Sequence, residues 1–234
     1  PFSPTGAQRR AVEAAVSDMC SGKLMNRLVQ GDVGSGKTLV AAALIWFTWK
    51  NGLSSAFMAP TEILAAQHYS TLTGLLGGFG IRIELLTGSM TAKRKREAKQ
   101  RISAGEADLV IGTHALFSDD VEYCRLGLVI TDEQHRFGVD QRSSLIAKGD
   151  RPHVLVMSAT PIPRTLALII YGDLDVSVID EMPPGRKKVL TYRFSENERK
   201  DAYKLLISEI EKGRQAFIVA PFIEDSETLS GRSS

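Results

Sequence analysis

The chain has 234 residues, with 29 Lys and Arg against 27 Asp and Glu, for a formal net charge of +2. That balance excludes nucleic-acid binding by bulk charge, so any such affinity must come from local patches. Two cysteines, Cys20 and Cys124, exclude a disulfide scaffold or a cysteine metal cluster and are expected as buried free thiols in a reducing compartment.

Short β-branched runs alternate with longer helical patterns, which predicts an α/β fold with a mostly parallel sheet flanked by helices. The expected strands are Leu28–Gln30, Ser55–Ala59, Ile81–Thr87, Ala107–Ile111, Leu126–Thr131, Val154–Ser158 and Val176–Ile179. Several are almost continuously apolar, as strands covered on both faces should be. Helical patterns run over Glu62–Leu76 and Thr91–Ala104. The longest apolar run, Leu39 to Phe47, falls well short of the ~20 residues that span a bilayer, and no signal peptide is visible. Pro1 in place of methionine suggests a fragment.

Glu181-Met182-Pro183-Pro184-Gly185-Arg186 can continue neither helix nor strand, which predicts a linker. The expected organisation is therefore a first domain over 1–180, a linker over 181–188, the truncated start of a second domain over 189–223, and a polar, frayed tail over 224–234. In the second part, Val189–Arg193 and Gln215–Ala220 read as strands. Between them, Ser195 and Glu198 form a capping box for a helix with Tyr203, Leu206, Ile207 and Ile210 on one face, ended by Gly213.

Gly31-Asp32-Val33-Gly34-Ser35-Gly36-Lys37-Thr38 fits the phosphate-cradling pattern G-x-x-x-x-G-K-[ST] at every fixed position. Its glycines let the backbone turn and bring N–H groups to phosphate oxygens. Lys37 can set an ammonium against the outer phosphates, and the Thr38 hydroxyl can ligate Mg²⁺. A strand before the loop and a helix after it aim the positive helix end at the same place.

Leu126–Thr131 runs straight into Asp132-Glu133-Gln134-His135. An aspartate at the carboxyl end of a buried strand suits Mg²⁺, which takes only one or two oxygens from protein. Asp132 would hold the ion through water, Glu133 would orient or deprotonate the attacking water, and Gln134 and His135 would sense nucleotide state. Ser158 and Thr160, in Ser158-Ala159-Thr160-Pro161-Ile162-Pro163-Arg164-Thr165, could bond that acidic turn and pass on its state, with Arg164 in the same segment. The amide of Gln8 can both donate to and accept from adenine.

Three further strands end in a small residue and a hydroxyl: Ala59-Pro60-Thr61, Thr87-Gly88-Ser89 and Ile111-Gly112-Thr113, the last followed by His114. In a parallel sheet these points share the carboxyl edge, where ligands bind. Thr61, Ser89, Thr113 and His114 form a candidate path for a nucleic-acid backbone, with plain helix capping as the other account. The basic run Lys93-Arg94-Lys95-Arg96, with Lys99 and Arg101, reads first as a solvated helix face and only second as a DNA contact.

Together these stretches resemble the RecG family of superfamily 2 DNA translocases. The resemblance rests on Thr5-Gly6-Ala7-Gln8, GDVGSGKT at 31–38, MAPTEILAAQH at 58–68, IGTHAL at 111–116, DEQHRFGVDQR at 132–142, SATPIPRT at 158–165 and YGDLDVSVIDEMPPGR at 171–186. It implies a RecA-like P-loop motor domain plus the start of a second one. It also implies ATP and Mg²⁺ as cofactors, and translocation on duplex DNA that remodels stalled forks and branch-migrates junctions. By the same resemblance, Gln8 reads adenine, Lys37 and Thr38 hold phosphate and magnesium, Asp132 and Glu133 serve hydrolysis, and Ser158 and Thr160 couple the cycle to movement. The partners implied are branched duplex DNA, a DNA-wedge domain before Pro1 and a second motor domain after Pro221. A monomer working in the bacterial cytoplasm, on the nucleoid, is expected. The half-motor alone should bind nucleotide weakly and hydrolyse almost none. A transcription-repair coupling translocase is the nearest rival and a nucleotide-sensing binding module the more distant one. DEQH and YGDLDVSVIDEMPPGR favour RecG.

Overall fold

A computed structural model describes residues 3–132, 151–160, 174–181 and 189–219. The chain divides into two compact units, Pro1–Arg186 and Lys187–Ser234. In the first unit the order is α1 (Gly6–Cys20), β1 (Asn26–Gly31), α2 (Lys37–Lys50), β2 (Ser54–Met58), α3 (Glu62–Leu76), β3 (Ile83–Leu86), α4 (Ala92–Ser103), β4 (Leu109–Gly112), β5 (Leu126–Asp132), β6 (His153–Ser158) and β7 (Asp175–Ile179). The seven strands form one sheet in the order β3-β4-β2-β5-β6-β1-β7, and every pairing is parallel. All seven expected strands are present, within a residue or two of their expected ends.

Strand periodicity sorts the core onto two faces. On β2, Phe57 joins the cluster formed with α1 and α2, while its neighbours Ala56 and Met58 join the cluster that takes Ala98 and Ile102 from α4. On β5, Leu128 and Ile130 point one way and Val129 the other, so all seven residues of β5 are buried. Truncating a side chain such as the fully buried Phe57 to alanine would cost about 3–5 kcal/mol.

Helix starts follow the local chemistry. Thr5 and Gln8 make a reciprocal capping box on α1. Thr61 caps α3 by accepting from the Leu64 N–H, and Thr91 caps α4 in the same way through Arg94. α2 differs: it starts at Gly36 in the left-handed region and has no side-chain cap. α4 buries Ala98 and Ile102 and turns Lys93, Arg94 and Arg96 outward, while Lys99 pairs with Asp120 and Arg101 with Glu84.

Two expectations fail here. Cys20 and Cys124 are exposed rather than buried, because one ends α1 and the other lies in the segment entering β5, outside both packed faces. In the second unit, 189–194 and 214–219 form no strand. A strand needs a ladder, and a lone parallel pair is marginal even when its side chains are apolar. The helix between them does form. The Ser195–Glu198 box is made through both donors of Ser195, a short 3₁₀ turn covers Glu196–Glu198, and α5 spans Arg199–Glu211. It buries no residue, and Tyr203, Ile207 and Ile210 stay exposed. Among the described residues, no helix is long and apolar enough to cross a membrane. Glu133, Gln134, His135 and Arg164, the linker from Met182 to Lys188 and the tail 224–234 lie outside the described residues.

Candidate nucleotide site and helicase edge

The loop between β1 and α2 is shaped by its glycines. Gly34 and Gly36 have φ of 78° and 90°, which L side chains rarely adopt. A Cβ on Gly36 would lie 2.2 Å from the Gln8 amide nitrogen, so this glycine is also required by close approach. At Gly31 a Cβ would meet the Ser35 hydroxyl at 2.6 Å. The loop is tied to itself and to α1. Ser35 N–H donates to the Asp32 carbonyl at 3.0 Å, and Val33 N–H to the Asp32 carboxylate at 2.8 Å. Lys37 Nζ donates to the Gly31 carbonyl at 2.7 Å and the Asp32 carbonyl at 3.1 Å.

Gln8 is buried against this loop. Its amide nitrogen donates to the Ser35 carbonyl at 2.7 Å, and its amide oxygen accepts from Thr5 N–H at 3.0 Å. The amide is thus fixed in orientation, with one of its two N–H groups committed to the loop. The donor set fits a magnesium nucleotide. The first turn of α2 has N–H groups without a side-chain cap, and the buried Ser35 hydroxyl has no partner among the described residues. Thr38 sits half-buried in that turn.

Asp132 ends β5, and β6 alone separates β5 from β1. Two strand spacings place that carboxylate about 10 Å from the loop along the sheet. It is nearly buried and bonds His68 of α3: Nε2 and Oδ2 are 2.7 Å apart, with side-chain exposures of 12% and 13%. Among the described residues, no three or more His, Cys, Asp or Glu cluster as a ready metal cage. A divalent ion here would therefore rely on phosphate and water oxygens, with Thr38 and Asp132 from the protein. Ser158 and Thr160 were expected to bond the acidic turn. Residues 133–135 of that turn lie outside the described residues; Ser158 and Thr160 bond each other at 3.1 Å, and the Thr160 carbonyl accepts from the Gln30 amide at 3.1 Å. The segment is thereby tied to β1, the strand that delivers the glycine loop.

At the opposite end of the carboxyl edge, β2, β4 and β3 carry the expected track. Thr61 is exposed, and its hydroxyl accepts in the cap of α3, which leaves its hydrogen to donate outward. Ser89 does not cap a helix. Its N–H donates to Glu62 Oε1 at 2.8 Å and its hydroxyl donates to Glu62 Oε2. Those bonds hold the Glu62 carboxyl below its ordinary range. His114 is exposed and lies beside Gly88. Thr113 is buried, the short 3₁₀ turn after it takes no side-chain cap, and among the described residues its hydroxyl has no partner. His68 and Glu62 were not singled out in the sequence. Each acts across a contact far along the chain, and the one available signal was that a nearly buried Asp132 must find a donor.

A family model described as DEAD/DEAH box helicase matches residues 5–169. The chain belongs to the DEAD/DEAH box helicase family. Within that helicase family it is similar to "ATP-dependent DNA helicase RecG" of Thermotoga maritima, at 51% identity over 234 residues, covering 100% of this chain and 30% of that protein. The protein of the same name from Streptococcus pneumoniae is 52% identical over 229 residues, covering 98% of this chain and 34% of its own length. A solved RecG structure, described as bound to a three-way DNA junction, superposes with a TM-score of 0.82 at 49% identity, covering 95% of this chain and 30% of that one. The resemblance to RecG read from the motifs extends over nearly the whole helicase chain, and the RecA-like parallel sheet is shared. The chain spans about a third of the length of these relatives.

Proposed function

We propose that this chain is the nucleotide-binding half of an ATP-driven motor that translocates on duplex DNA, remodels stalled forks and branch-migrates junctions. The observation that carries the reading is the glycine loop at the uncapped start of α2, gripped by Lys37 and Gln8, with Asp132 on the same sheet edge. Supporting it are the RecG relatives named as ATP-dependent DNA helicases and the RecG structure with a three-way DNA junction. Branched duplex DNA is the partner proposed, and a monomer the working unit. The bacterial relatives support a cytoplasmic, nucleoid-associated place of action.

Bound ATP and Mg²⁺ supply the phosphoanhydride and the charge neutralisation that phosphoryl transfer needs. The chain's own residues then have separate tasks. Lys37 would exchange the Gly31 and Asp32 carbonyls for phosphate oxygens, which bind an ammonium more strongly than a neutral carbonyl does. The first turn of α2 gives N–H donors and the Thr38 hydroxyl. Gln8, already held at one N–H, presents the rest of its amide to the adenine edge. Asp132 would hold the Mg²⁺ through a bound water, and Glu133 would align the attacking water. In this proposal a second motor domain closes the cleft and supplies arginines, and a wedge domain engages the junction.

In the full-length protein, Glu133→Gln should keep nucleotide binding and stop turnover stimulated by branched DNA, measured by phosphate release. Retained turnover removes Glu133 from the hydrolytic role. Residues 1–234 alone should show almost no turnover, and vigorous DNA-stimulated hydrolysis by them overturns the half-motor reading.

A further inference from the structure

His68 belongs to none of the roles above, yet it holds Asp132, the acidic side chain placed at the candidate metal position. Its Nε2 lies 2.7 Å from Asp132 Oδ2, across 64 residues of sequence. A carboxylate only accepts, so the ring nitrogen donates. The imidazole is clamped on its other side by Phe57 of β2, with ring centroids 4.6 Å apart and planes tilted by 46°. Phe57 is fully buried and pairs in register with Ile130 of β5, two residues before Asp132. The ring thus packs on a residue of β2 while bonding a carboxylate at the end of the adjacent strand β5.

The same helix reaches the other end of the candidate machinery. Thr61 caps α3, and Glu62, its first residue, holds both donors of Ser89. From Glu62 to His68 is six residues, about 9 Å along a helix. We propose that His68 is a positioning residue: it fixes the Asp132 carboxylate for a divalent cation and ties it, through α3, to the turns at Thr61 and Ser89 on the candidate DNA track. This rests on the function proposed above. In metal sites generally, a partner that orients a ligand carries a 10–100-fold share of metal affinity.

The test uses the full-length protein with a fluorescent, non-hydrolysable ATP analogue titrated with Mg²⁺. His68→Ala should raise the Mg²⁺ concentration for half-maximal uptake roughly 10–100-fold. Binding without Mg²⁺ should stay unchanged. His68→Gln, which keeps an N–H donor near the Nε2 position, should restore most of the loss. His68→Ala should also lower DNA-stimulated turnover more than basal turnover. An unchanged Mg²⁺ midpoint overturns the positioning role, including when the melting temperature falls, since that marks a packing role only. Equal losses of basal and stimulated turnover overturn the tie along α3. Wild-type protein that takes up no nucleotide at any Mg²⁺ concentration overturns the proposed function itself, and His68's part with it.

Discussion

At the nucleotide end of the carboxyl edge, Lys37 rests on two backbone carbonyls; at the far end, Ser89 rests on the Glu62 carboxylate. Both ends hold their candidate ligand donors in internal bonds, and the two arrangements respond differently to an incoming phosphate. A carbonyl is a neutral acceptor, so each Lys37–carbonyl bond is exchanged for a stronger one when a phosphate oxygen takes the carbonyl's place. A carboxylate is an anion already in the place a phosphate would take, so Ser89 loses one charged partner for each it gains. The nucleotide loop is thus poised for an anion, whereas the outer end of the track, after the edge strand β3, is closed by one. Thr61 and His114, exposed after β2 and β4, are the positions a DNA backbone could meet without displacing a carboxylate.

The largest expected effect of breaking this contrast is at Lys37. Lys37→Ala removes a charge-assisted donor worth about 1.5–3 kcal/mol, which corresponds to roughly 10- to 150-fold weaker nucleotide binding. Fluorescence titration of the analogue measures it, and an affinity within twofold of wild type removes Lys37 from the phosphates. The loop backbone comes next. Gly36→Ala forces a non-glycine residue to φ of 90° and drives a methyl into the Gln8 amide. The strain is about 1–3 kcal/mol, read as a lower melting temperature together with weaker nucleotide binding. Unchanged stability would mean that Gln8 swings away freely, and that its grip on the loop is not what orients it.

At the far end the sign reverses. Glu62→Ala frees both donors of Ser89 and removes the anion, so duplex DNA should bind several-fold tighter if Ser89 meets the backbone. Its log–log salt slope should steepen by roughly 0.7–0.9 for each phosphate newly neutralised. Binding that weakens, with no change in slope, would assign the Glu62–Ser89 bond to loop order alone. Anisotropy of labelled duplex across a salt series distinguishes the two.

Much of the first unit was legible in its residues because burial on both faces leaves a plain mark. A run such as Leu128-Val129-Ile130 admits few other readings, and the glycine loop announces its own geometry. What escaped was settled by contacts between distant positions. Nothing near His68 says that it meets Asp132, and nothing near Ser89 says that Glu62 holds it. Thr113 and Ser89 resembled Thr61 locally, yet only Thr61 caps an α-helix by its side chain. Val189–Arg193 failed as a strand for the complementary reason: its composition is right, but composition does not provide a neighbouring ladder.

The smallest effect lies at the other edge of the sheet, where β6 begins. His153 Nδ1 accepts from the Met25 N–H at 3.0 Å, an arrangement open only to the neutral ring on that side. Partial burial pushes the His153 pKa down from its ordinary value. The neutral form is therefore favoured in the folded state, and the unfolded chain binds the proton more readily. Stability from this group is fully present above about pH 6.5, the unfolded value, and is lost as pH falls through the lowered folded one. Thermal melts of wild type should decline as pH falls below about 6.5. His153→Gln, whose amide oxygen can accept the same bond without titrating there, should flatten that decline while leaving nucleotide binding at the opposite edge unchanged. A variant whose melting curve keeps the wild-type slope would place the acid sensitivity in other groups, and would show that Met25 N–H does not select the neutral ring.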